Sequence, residues 1–567
     1  MTVLELPTLE QVDRPAPAAR PFPSRDMALF AGLAALYFAV GYVLMMRYNL
    51  FDPDAPSRVA NAGYVVHSRD PHLSAVGFVW NPLPSLVEIP LLQLSRWWPE
   101  LRSHGLAGVV QSALFMAGAA VMVARIAADR GVGAVWRRVG VAAFALHPMI
   151  VVYGGSGMSE AAETFCVLWC VRRLMLWTDT RRAADLAGAG LALGLGYLAR
   201  YDVVPAAFGA AAFVGAVTAG GATYGRSVKA FANVAVVMFP IVVVATVWAI
   251  SGWVVNQELF ATLSSQYGND SIVAAANRRS GPTVPAGSGD WVGIAARLLG
   301  MQPFVGIACG AAVVHGALTR RVTALVPVVI FGPILAFAAW GQYSSTTFGC
   351  FRYYLLGIPL VICLALALWG PSATQVIEAR ARRFAAVLLC ASVMIGYPVT
   401  VAASLNERIG NQPLQFGFNS LLFPDRFTPE APQQVWYRRL MVDDRVLADH
   451  LDRMALPDGA VLMDTFNTWA VWMSSASPKQ FIITSDFDFK AALNRPWEHG
   501  VQYLLVSNPA TSDADALTVR YPALWNTGAD ISRLIYTVTG AGGEDRLRLY
   551  RITGPPRSHE QPSVGPS

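Results

Sequence analysis

The sequence predicts an α-helical membrane protein that crosses the bilayer many times and ends in a small α/β domain. Three observations predict this fold class: an apolar composition, a series of long apolar runs, and basic residues in alternate loops. The chain has 567 residues, of which 54% are hydrophobic and only 14% are charged, whereas a soluble globular protein carries roughly 25% charged residues. A chain with so few charges needs lipid as the solvent for much of its length.

The apolar runs predict about eleven transmembrane helices, since a span needs roughly 20 apolar residues. The first run is interpreted as an uncleaved anchor, because it lacks a small-residue cleavage site. Several middle runs are short and rich in Gly and Ala. In chain order the predicted spans are Met27–Met46, Gly105–Ile126, Val139–Tyr153, Ala161–Leu176, Ala184–Leu198, Val203–Ala219, Phe231–Val254, Val292–Ala317, Val322–Trp340, Tyr353–Trp369 and Phe384–Leu405.

Basic residues in the loops predict the orientation of the chain in a bacterial plasma membrane. Short cytoplasmic loops carry the excess of Lys and Arg, and with residues 1–26 in the cytoplasm every predicted inner loop is basic. An odd number of spans then places the C-terminal segment outside. The same loops account for the net charge of +6, so no nucleic-acid partner is expected. The inner-loop residues are Arg130, Arg137, Arg138, Arg172, Arg173, Arg181, Arg182, Arg226, Lys229, Arg320, Arg321, Arg380, Arg382 and Arg383.

Two predicted outer segments are too long to be simple connectors. Within the transmembrane domain, residues 27–405, the first outer loop covers residues 47–104. Residues 406–553 are predicted to form a small extracytoplasmic α/β domain, and residues 554–567 are predicted to be disordered. The domain prediction rests on a helical stretch and several short β-type runs, which are Asp443–Met454, Ala460–Met463, Phe481–Thr484, Val501–Val506, Leu534–Val538 and Leu547–Ile552.

The first outer loop is the most informative segment. It opens with Asp52 and Asp54, and Ala55–Val66 is predicted to be an amphipathic helix. The motif Trp80-Asn81-Pro82-Leu83 follows, and then the apolar stretch Ser85–Leu94. At about ten residues this stretch is too short to cross a bilayer, so it is predicted to be re-entrant or to lie on the surface.

Three further motifs lie on the same predicted outer side. A Tyr/Gly-rich turn that ends in an acid, Tyr153–Glu160, follows the third span, and Leu198–Asp202 follows the fifth. Phe351–Tyr354 precedes Gly357-Ile358-Pro359 at the start of a late helix. Polar and charged side chains from four separate parts of the chain are therefore predicted to meet at one face of the membrane.

In this order the motifs resemble those of the GT-C membrane glycosyltransferases, in particular the branch with protein O-mannosyltransferases and the lipid A aminoarabinose transferase. The resemblance covers roughly residues 27–370. It implies a GT-C-like fold and an inverting transfer of a monosaccharide, of mannose or arabinose type, from a polyprenyl-phosphate donor. The acceptor would be an envelope glycan, glycolipid or protein. In two departures from the family, Ala55 follows Asp54 where many members have a second acid, and Asn81 replaces a phosphate-binding lysine of some members.

The carboxylates are predicted to supply the base. Transfer requires a group that takes the proton from the acceptor hydroxyl as it attacks the anomeric carbon. Asp54 is the predicted base and Asp52 is its rival, while Glu160 would position the acceptor or hold a basic residue. The structural alternatives are a helix cap for Asp54 and a favourable helix-dipole contact for Glu160.

Three arginines are predicted to bind the donor phosphate. The leaving phosphate gains charge, which fixed cationic donors stabilise. Arg58, Arg200 and Arg352 all lie on the predicted outer side, where the positive-inside rule disfavours arginine. The alternatives are a local ion pair of Arg200 with Asp202 and an anchoring Arg352 that reaches the interface.

Other residues of the first outer loop complete the predicted site. Asn81, His72 and Trp80 are candidates for binding donor or acceptor, although Trp80 also suits an interfacial aromatic belt. The sequence identifies no metal ligands, and it leaves open whether a divalent metal is a cofactor, because the Asp52 and Asp54 pair does not decide this.

Two non-enzymatic functions compete with the glycosyltransferase. A flippase or transporter for a lipid-linked sugar would carry charges along its spans. Here the acids and arginines gather at the predicted outer ends instead, which favours an enzyme at the membrane surface. The other alternative is a non-catalytic subunit of an envelope assembly complex.

Overall fold

The computed structural model describes residues 24–221, 225–265, 267–268, 271, 273, 290–319, 322–369, 376–424, 432–510, 514–540 and 543–555. The predicted N-terminal and C-terminal tails lie almost wholly outside these residues. Helices dominate the described chain up to residue 453, and a sheet follows.

The helices of the described residues are numbered in chain order: α1 (Ser24–Tyr42), α2 (Asp54–His67), α3 (Leu83–Leu92), α4 (Glu100–Ser103), α5 (Leu106–Asp129), α6 (Ala134–Ala145), α7 (Pro148–Gly154), α8 (Glu160–Thr180), α9 (Ala183–Ala199), α10 (Val204–Gly221), α11 (Arg226–Asn256), α12 (Ala261–Ser264), α13 (Trp291–Met301), α14 (Val305–Thr319), α15 (Val326–Tyr343), α16 (Gly357–Leu368), α17 (Val376–Leu405), α18 (Gln412–Leu422), α19 (Pro432–Arg453), α20 (Thr465–Ser474), α21 (Phe489–Asn494), α22 (Ala516–Arg520) and α23 (Leu524–Thr527).

Each predicted span coincides with a helix or with a bent pair of helices. Within the described residues, seven helices are long and apolar enough to cross a membrane, or up to nine if each bent pair is one span. The chain is thus a multi-pass membrane protein. Two further predicted spans coincide with α8 and α9, which do not meet the same criteria of length and apolar composition. Helix α9 is too short, and α8 carries too many charges.

The two bends occur at proline. Helices α6 and α7 meet at 66°, and α13 meets the next helix at 79°. Pro148 and Pro303 stand at these breaks. Proline disfavours a helical conformation in the residue before it, so an apolar run that contains it divides into two segments.

Glycines allow the membrane helices to approach one another closely. A Cβ atom added at Gly41 of α1 would lie 2.0 Å from the carbonyl oxygen of Gly155, just after α7. A Cβ atom at Gly209 of α10 would lie 2.1 Å from the carbonyl oxygen of Val329 in α15. Small residues at helix contacts are the usual way in which spans pack in lipid.

The loop of residues 47–104, here called the first loop, forms helices α2, α3 and α4. The predicted amphipathic helix over 55–66 is confirmed as α2. The apolar stretch 85–94 lies in the ten-residue helix α3 and the turn that follows it. A helix of that length rises about 15 Å, half the thickness of the hydrocarbon core, and cannot cross it.

The C-terminal part contains the predicted α/β domain. Its five strands are β1 (Val461–Met463), β2 (Phe481–Ile482), β3 (Tyr503–Ser507), β4 (Ser532–Thr539) and β5 (Asp545–Ile552), and they form one sheet in the order β2-β1-β3-β5-β4. Strand β1 is parallel to β2 and β3, and β5 is antiparallel to β3 and β4. Each predicted β-type run coincides with a strand. Leu547 and Leu549, two positions apart in β5, share one buried face, as the alternation of side chains in a strand requires.

This domain packs directly on the first loop. The ring of Trp472 in α20 contacts Tyr64 of α2 with 4.6 Å between centroids. Gly63 makes room for the indole, since a Cβ atom there would lie 2.7 Å from it. Arg102 of α4 donates a hydrogen bond to the carbonyl oxygen of Ser475 at 2.6 Å. One hydrophobic core thus includes residues from the first loop and from the sheet domain.

Replacing Trp472 with alanine tests this shared core. Trp472 is fully buried, and loss of a buried tryptophan costs about 3–5 kcal/mol. We expect the free energy of unfolding of the purified protein in detergent to fall by that amount. As a control, Trp97→Ala makes the same change at a side chain that is 67% exposed, and we expect it to cost about 0.5 kcal/mol or less. Equal effects of the two substitutions would contradict the shared core.

Candidate functional site

The two acids of the first loop lie at the beginning of α2. Asp54 is the first residue of this helix, and its backbone N–H donates to Asp52 Oδ1 at 3.3 Å. The residue that precedes the helix, Pro53, makes no side-chain capping hydrogen bond. The Asp54 carboxylate faces a guanidinium group instead. The helix start thus positions both acids, and Asp52 rather than Asp54 accepts from a backbone N–H there.

Arg352 brings three acids together. It lies in the single turn Phe351–Tyr354 just before α16. Its Nη1 contacts Asp52, its Nη2 lies 2.9 Å from Asp54 Oδ2, and its Nε lies 3.2 Å from Glu160 Oε1. The side chain is only 9% exposed. A buried arginine thus joins residues that are about 300 positions apart in the sequence.

Glu160 connects Arg352 to a second arginine. It is the first residue of α8 and is almost fully buried, and its Oε1 also lies 2.9 Å from Arg200 Nη1. Arg200, at the end of α9, further contacts Glu163 at 3.2 Å and Asp202 at 2.7 Å. The predicted local pair of Arg200 and Asp202 is present, and it forms part of a larger network.

Arg58 differs from the other two arginines. It is buried, its Nη1 donates to the backbone carbonyl of Asp54 at 3.2 Å, and its guanidinium lies 4.4 Å from the centre of the Trp80 ring. Within the described residues it forms no salt bridge, and its Nε has no hydrogen-bond partner. Arg58 is thus affected by Asp54 and Glu160 only from beyond salt-bridge distance, whereas Arg200 and Arg352 are in direct contact with carboxylates.

The structure places the two remaining predicted residues, Asn81 and His72, in different regions. The Asn81 side-chain amide donates to the carbonyl oxygen of Tyr197 in α9 at 2.5 Å. His72 lies at the contact with the C-terminal domain, where its ring stacks on Phe487 with 4.2 Å between centroids. Asn81 therefore borders the network, while His72 is not brought into it. Their binding roles stay predictions.

A large apolar cavity adjoins the network. Its volume is about 780 Å³, and α10, α11, α12 and α15 contribute to its walls. It is lined mostly by apolar side chains, and the main aromatic ones are Phe78, Tyr197, Tyr201, Phe208, Trp248 and Phe337. Asn81 belongs to the lining and directly follows Trp80, which covers Arg58. The cavity thus reaches the edge of the charged region.

Burial changes the ionisation of Asp52. It raises the pKa of this carboxyl to about 6, against the opposing charge of Arg352 and with a further contribution from the neighbouring acids. Asp52 is thus ionised above about pH 6 and takes up a proton below it. Its ion pair with Arg352 weakens over the same range, because a neutral acid no longer attracts the guanidinium.

Sequence reasoning missed several parts of this site. It did not single out Glu163 or Tyr353, whose ring lies 5.5 Å from the Arg200 guanidinium and 5.6 Å from that of Arg352. The position of Glu163, three residues after Glu160, places both acids on one helix face, and this signal was present in the sequence. The cavity had no local signal, because its walls come from helices far apart in the chain.

The described residues do not fit a divalent metal as they are arranged. Within them there is no group of three His, Cys, Asp or Glu side chains that could hold a metal ion. Asp52, Asp54 and Glu160 do converge, but each directs a carboxylate oxygen at Arg352. The guanidinium thus occupies the position that a cation would take among these acids.

Comparisons with known proteins find similarity in solved structures. No family model and no curated protein matches the sequence. The crystal structure of ArnT from Cupriavidus metallidurans bound to undecaprenyl phosphate is similar, with a TM-score of 0.53 and 15% identity over 94% of this chain and 98% of that chain. The apo state of the same protein gives a TM-score of 0.48 and 16% identity over 93% and 98%. The chain therefore has a fold similar to that of ArnT, an aminoarabinose transferase of the GT-C type, as the sequence motifs predict.

Proposed function

We propose that the protein is a membrane glycosyltransferase that moves a monosaccharide from a polyprenyl-phosphate donor to a hydroxyl group of an envelope glycan, glycolipid or protein. The observation that carries this proposal is the juxtaposition of a carboxylate cluster, an apolar cavity and a buried arginine that forms no salt bridge within the described residues. The reaction takes place on the outer face of the plasma membrane. The sugar is of mannose or arabinose type.

Asp54 is the base in this proposal. Its side chain is 31% exposed, against 15% for Asp52 and 2% for Glu160. Of the three acids around Arg352 it is therefore the one that an acceptor reaches most easily. Glu160 is too deeply buried to meet the acceptor, so it positions the two arginines.

The transfer is a single displacement. The Asp54 carboxylate takes the proton of the acceptor hydroxyl as its oxygen bonds to the anomeric carbon. The bond from that carbon to the phosphate oxygen breaks, and the polyprenyl phosphate leaves with the bonding electrons. The configuration at the anomeric carbon inverts. No general acid is needed, since the phosphate is a good leaving group.

Arg58 and the cavity hold the donor. Arg58 forms no salt bridge within the described residues, so its guanidinium can give the phosphate a charge-assisted hydrogen bond that stabilises the departing group. The apolar cavity begins beside Asn81 and suits isoprenoid units of the lipid. The similar ArnT of Cupriavidus metallidurans binds undecaprenyl phosphate in its crystal structure, which supports the same class of ligand here.

Substitution of the base tests the reaction. We expect Asp54→Asn to reduce transfer of radiolabelled sugar from polyprenyl-phosphate donors by on the order of 10²–10⁴-fold, since a neutral amide cannot take the proton. Binding of the donor should change little. The control is Asp458→Asn, an equal change in an exposed turn of the C-terminal domain, which should leave the rate unaltered. Full activity of the Asp54 variant would move the role of base to Asp52, and a wild-type protein that moves no sugar from any donor would favour a flippase.

The ionisation of Asp52 predicts a pH dependence. Because the pKa of Asp52 is raised to about 6, its charge is present above that pH and is lost as the pH falls through it. We expect the transfer rate to fall with a midpoint near pH 6, as Arg352 loses one of its partners. In Asp52→Asn the neutral state is permanent, so the rate at neutral pH should be on the order of 10–100-fold lower. An unchanged midpoint near pH 6 in this variant would show that another group titrates there.

A further inference from the structure

A fully buried acid in α3 has no role in the reaction described above. Glu88 has no exposed surface, and neither of its carboxyl oxygens has a hydrogen-bond partner within the described residues. An ionised carboxylate without partners in such a place costs several kcal/mol. A buried acid of this kind in the first loop, next to the proposed site, requires an explanation.

Glu88 lies on the side of α3 that meets α2 at Arg58. Ser85 Oγ donates to the carbonyl oxygen of Arg58 at 3.0 Å, and Glu88 follows Ser85 by three residues, which places it on the same helix face. Gly108 in α5 lies directly beside the carboxyl of Glu88. A Cβ atom added there would lie 3.5 Å from Glu88 Oε1. The acid thus occupies a slot between α2, α3 and α5.

Arg58 is the charged group that acts on Glu88. Burial raises the pKa of Glu88 to about 8, and the charge of Arg58 only partly opposes this shift. The other charged side chains of the helices packed against α3, among them Asp54 of α2, Glu100 and Arg102 of α4, do not contribute to it. At neutral pH the acid is therefore mostly uncharged and does not offset the charge of Arg58, on which Asp54 and Glu160 also act.

We propose that Glu88 is a positioning residue that acts through Arg58 and keeps its guanidinium available for the phosphate of the donor lipid. Both oxygens of Glu88 and the Nε of Arg58 lack a hydrogen-bond partner within the described residues, so the two side chains interact through their charges and not through a direct hydrogen bond. A neutral Glu88 does not cancel the positive charge. The inference rests on the proposed function, since it assigns the phosphate to Arg58.

The proposal links donor binding to the protonation state of Glu88. An ionised Glu88 attracts the Arg58 guanidinium and offsets the charge that would otherwise bind the phosphate, so the anion binds best when Glu88 is protonated. Above the pKa of Glu88 the apparent Kd then rises about tenfold for each pH unit. The phosphate itself does not add to this effect, because a phosphate monoester with a second pKa of about 6 is already ionised there.

The test is the binding of undecaprenyl phosphate to the full-length protein in nanodiscs of zwitterionic lipid. For wild type we expect the apparent Kd to rise about tenfold between about pH 7 and about pH 9. Glu88→Gln is permanently neutral and should bind with a Kd that is independent of pH over this range. Glu100→Gln is the matched control, because it removes an acid from α4 of the same loop, and it should behave as wild type.

Two outcomes would overturn the inference in distinguishable ways. If wild type binds the lipid and Glu88→Gln shows the same rise in Kd with pH, Glu88 is only a structural residue and the proposed function still stands. If wild type does not bind undecaprenyl phosphate at any pH, the proposed function fails and the inference fails with it.

A second variant covers the case in which Glu88→Gln does not fold. Arg58→Gln should weaken binding and also remove its pH dependence between about pH 7 and about pH 9, because Glu88 acts through this arginine. In that background, Glu88→Asp should change the Kd less than twofold at either pH. A strong pH dependence that persists without Arg58 would contradict the coupling.

Discussion

The ion pairing of Arg352 is the interaction on which the site depends. One buried guanidinium pairs with acids from the first loop and from the start of α8. One of these acids, Glu160, also pairs with Arg200. Breaking a buried charge pair by removing one partner typically costs about 3–5 kcal/mol. The acids repel one another, so their convergence requires this cation. Arg352 and Arg200 are both paired with these acids, whereas Arg58 forms no salt bridge within the described residues.

Helix α2 is held in place from two directions. Near its first residue the acids are bound by Arg352, which belongs to the membrane helices. Near its other end, Gly63 and Tyr64 pack against Trp472 of the C-terminal domain. The base proposed here, Asp54, requires a position fixed within a fraction of an ångström. The sheet domain thus contributes to the geometry of the site through packing, although it lies at the far end of the helix.

The sequence was sufficient for the fold and for part of the site. Apolar runs and β-type alternation located the spans and strands, because these signals are local. Asp54, Glu160 and Arg352 could be grouped since each lies at a helix end on one predicted side of the membrane. The second contacts of Arg200, the place of His72 and the cavity could not be found in this way. They depend on how helices distant in sequence pack against each other, and no local pattern records that packing.

The distance along the chain between Asp52 and Arg352 has a consequence for biogenesis. At about 5–20 residues per second, some 15–60 s of synthesis separate the two residues. During this interval the acids of the first loop have emerged while the cation that pairs with them has not yet been made. They remain hydrated, since an unpaired carboxylate is costly to bury. Assembly of this charged cluster is thus a late event that waits for the turn before α16, and a chain that ends before Arg352 lacks the cation that joins the acids.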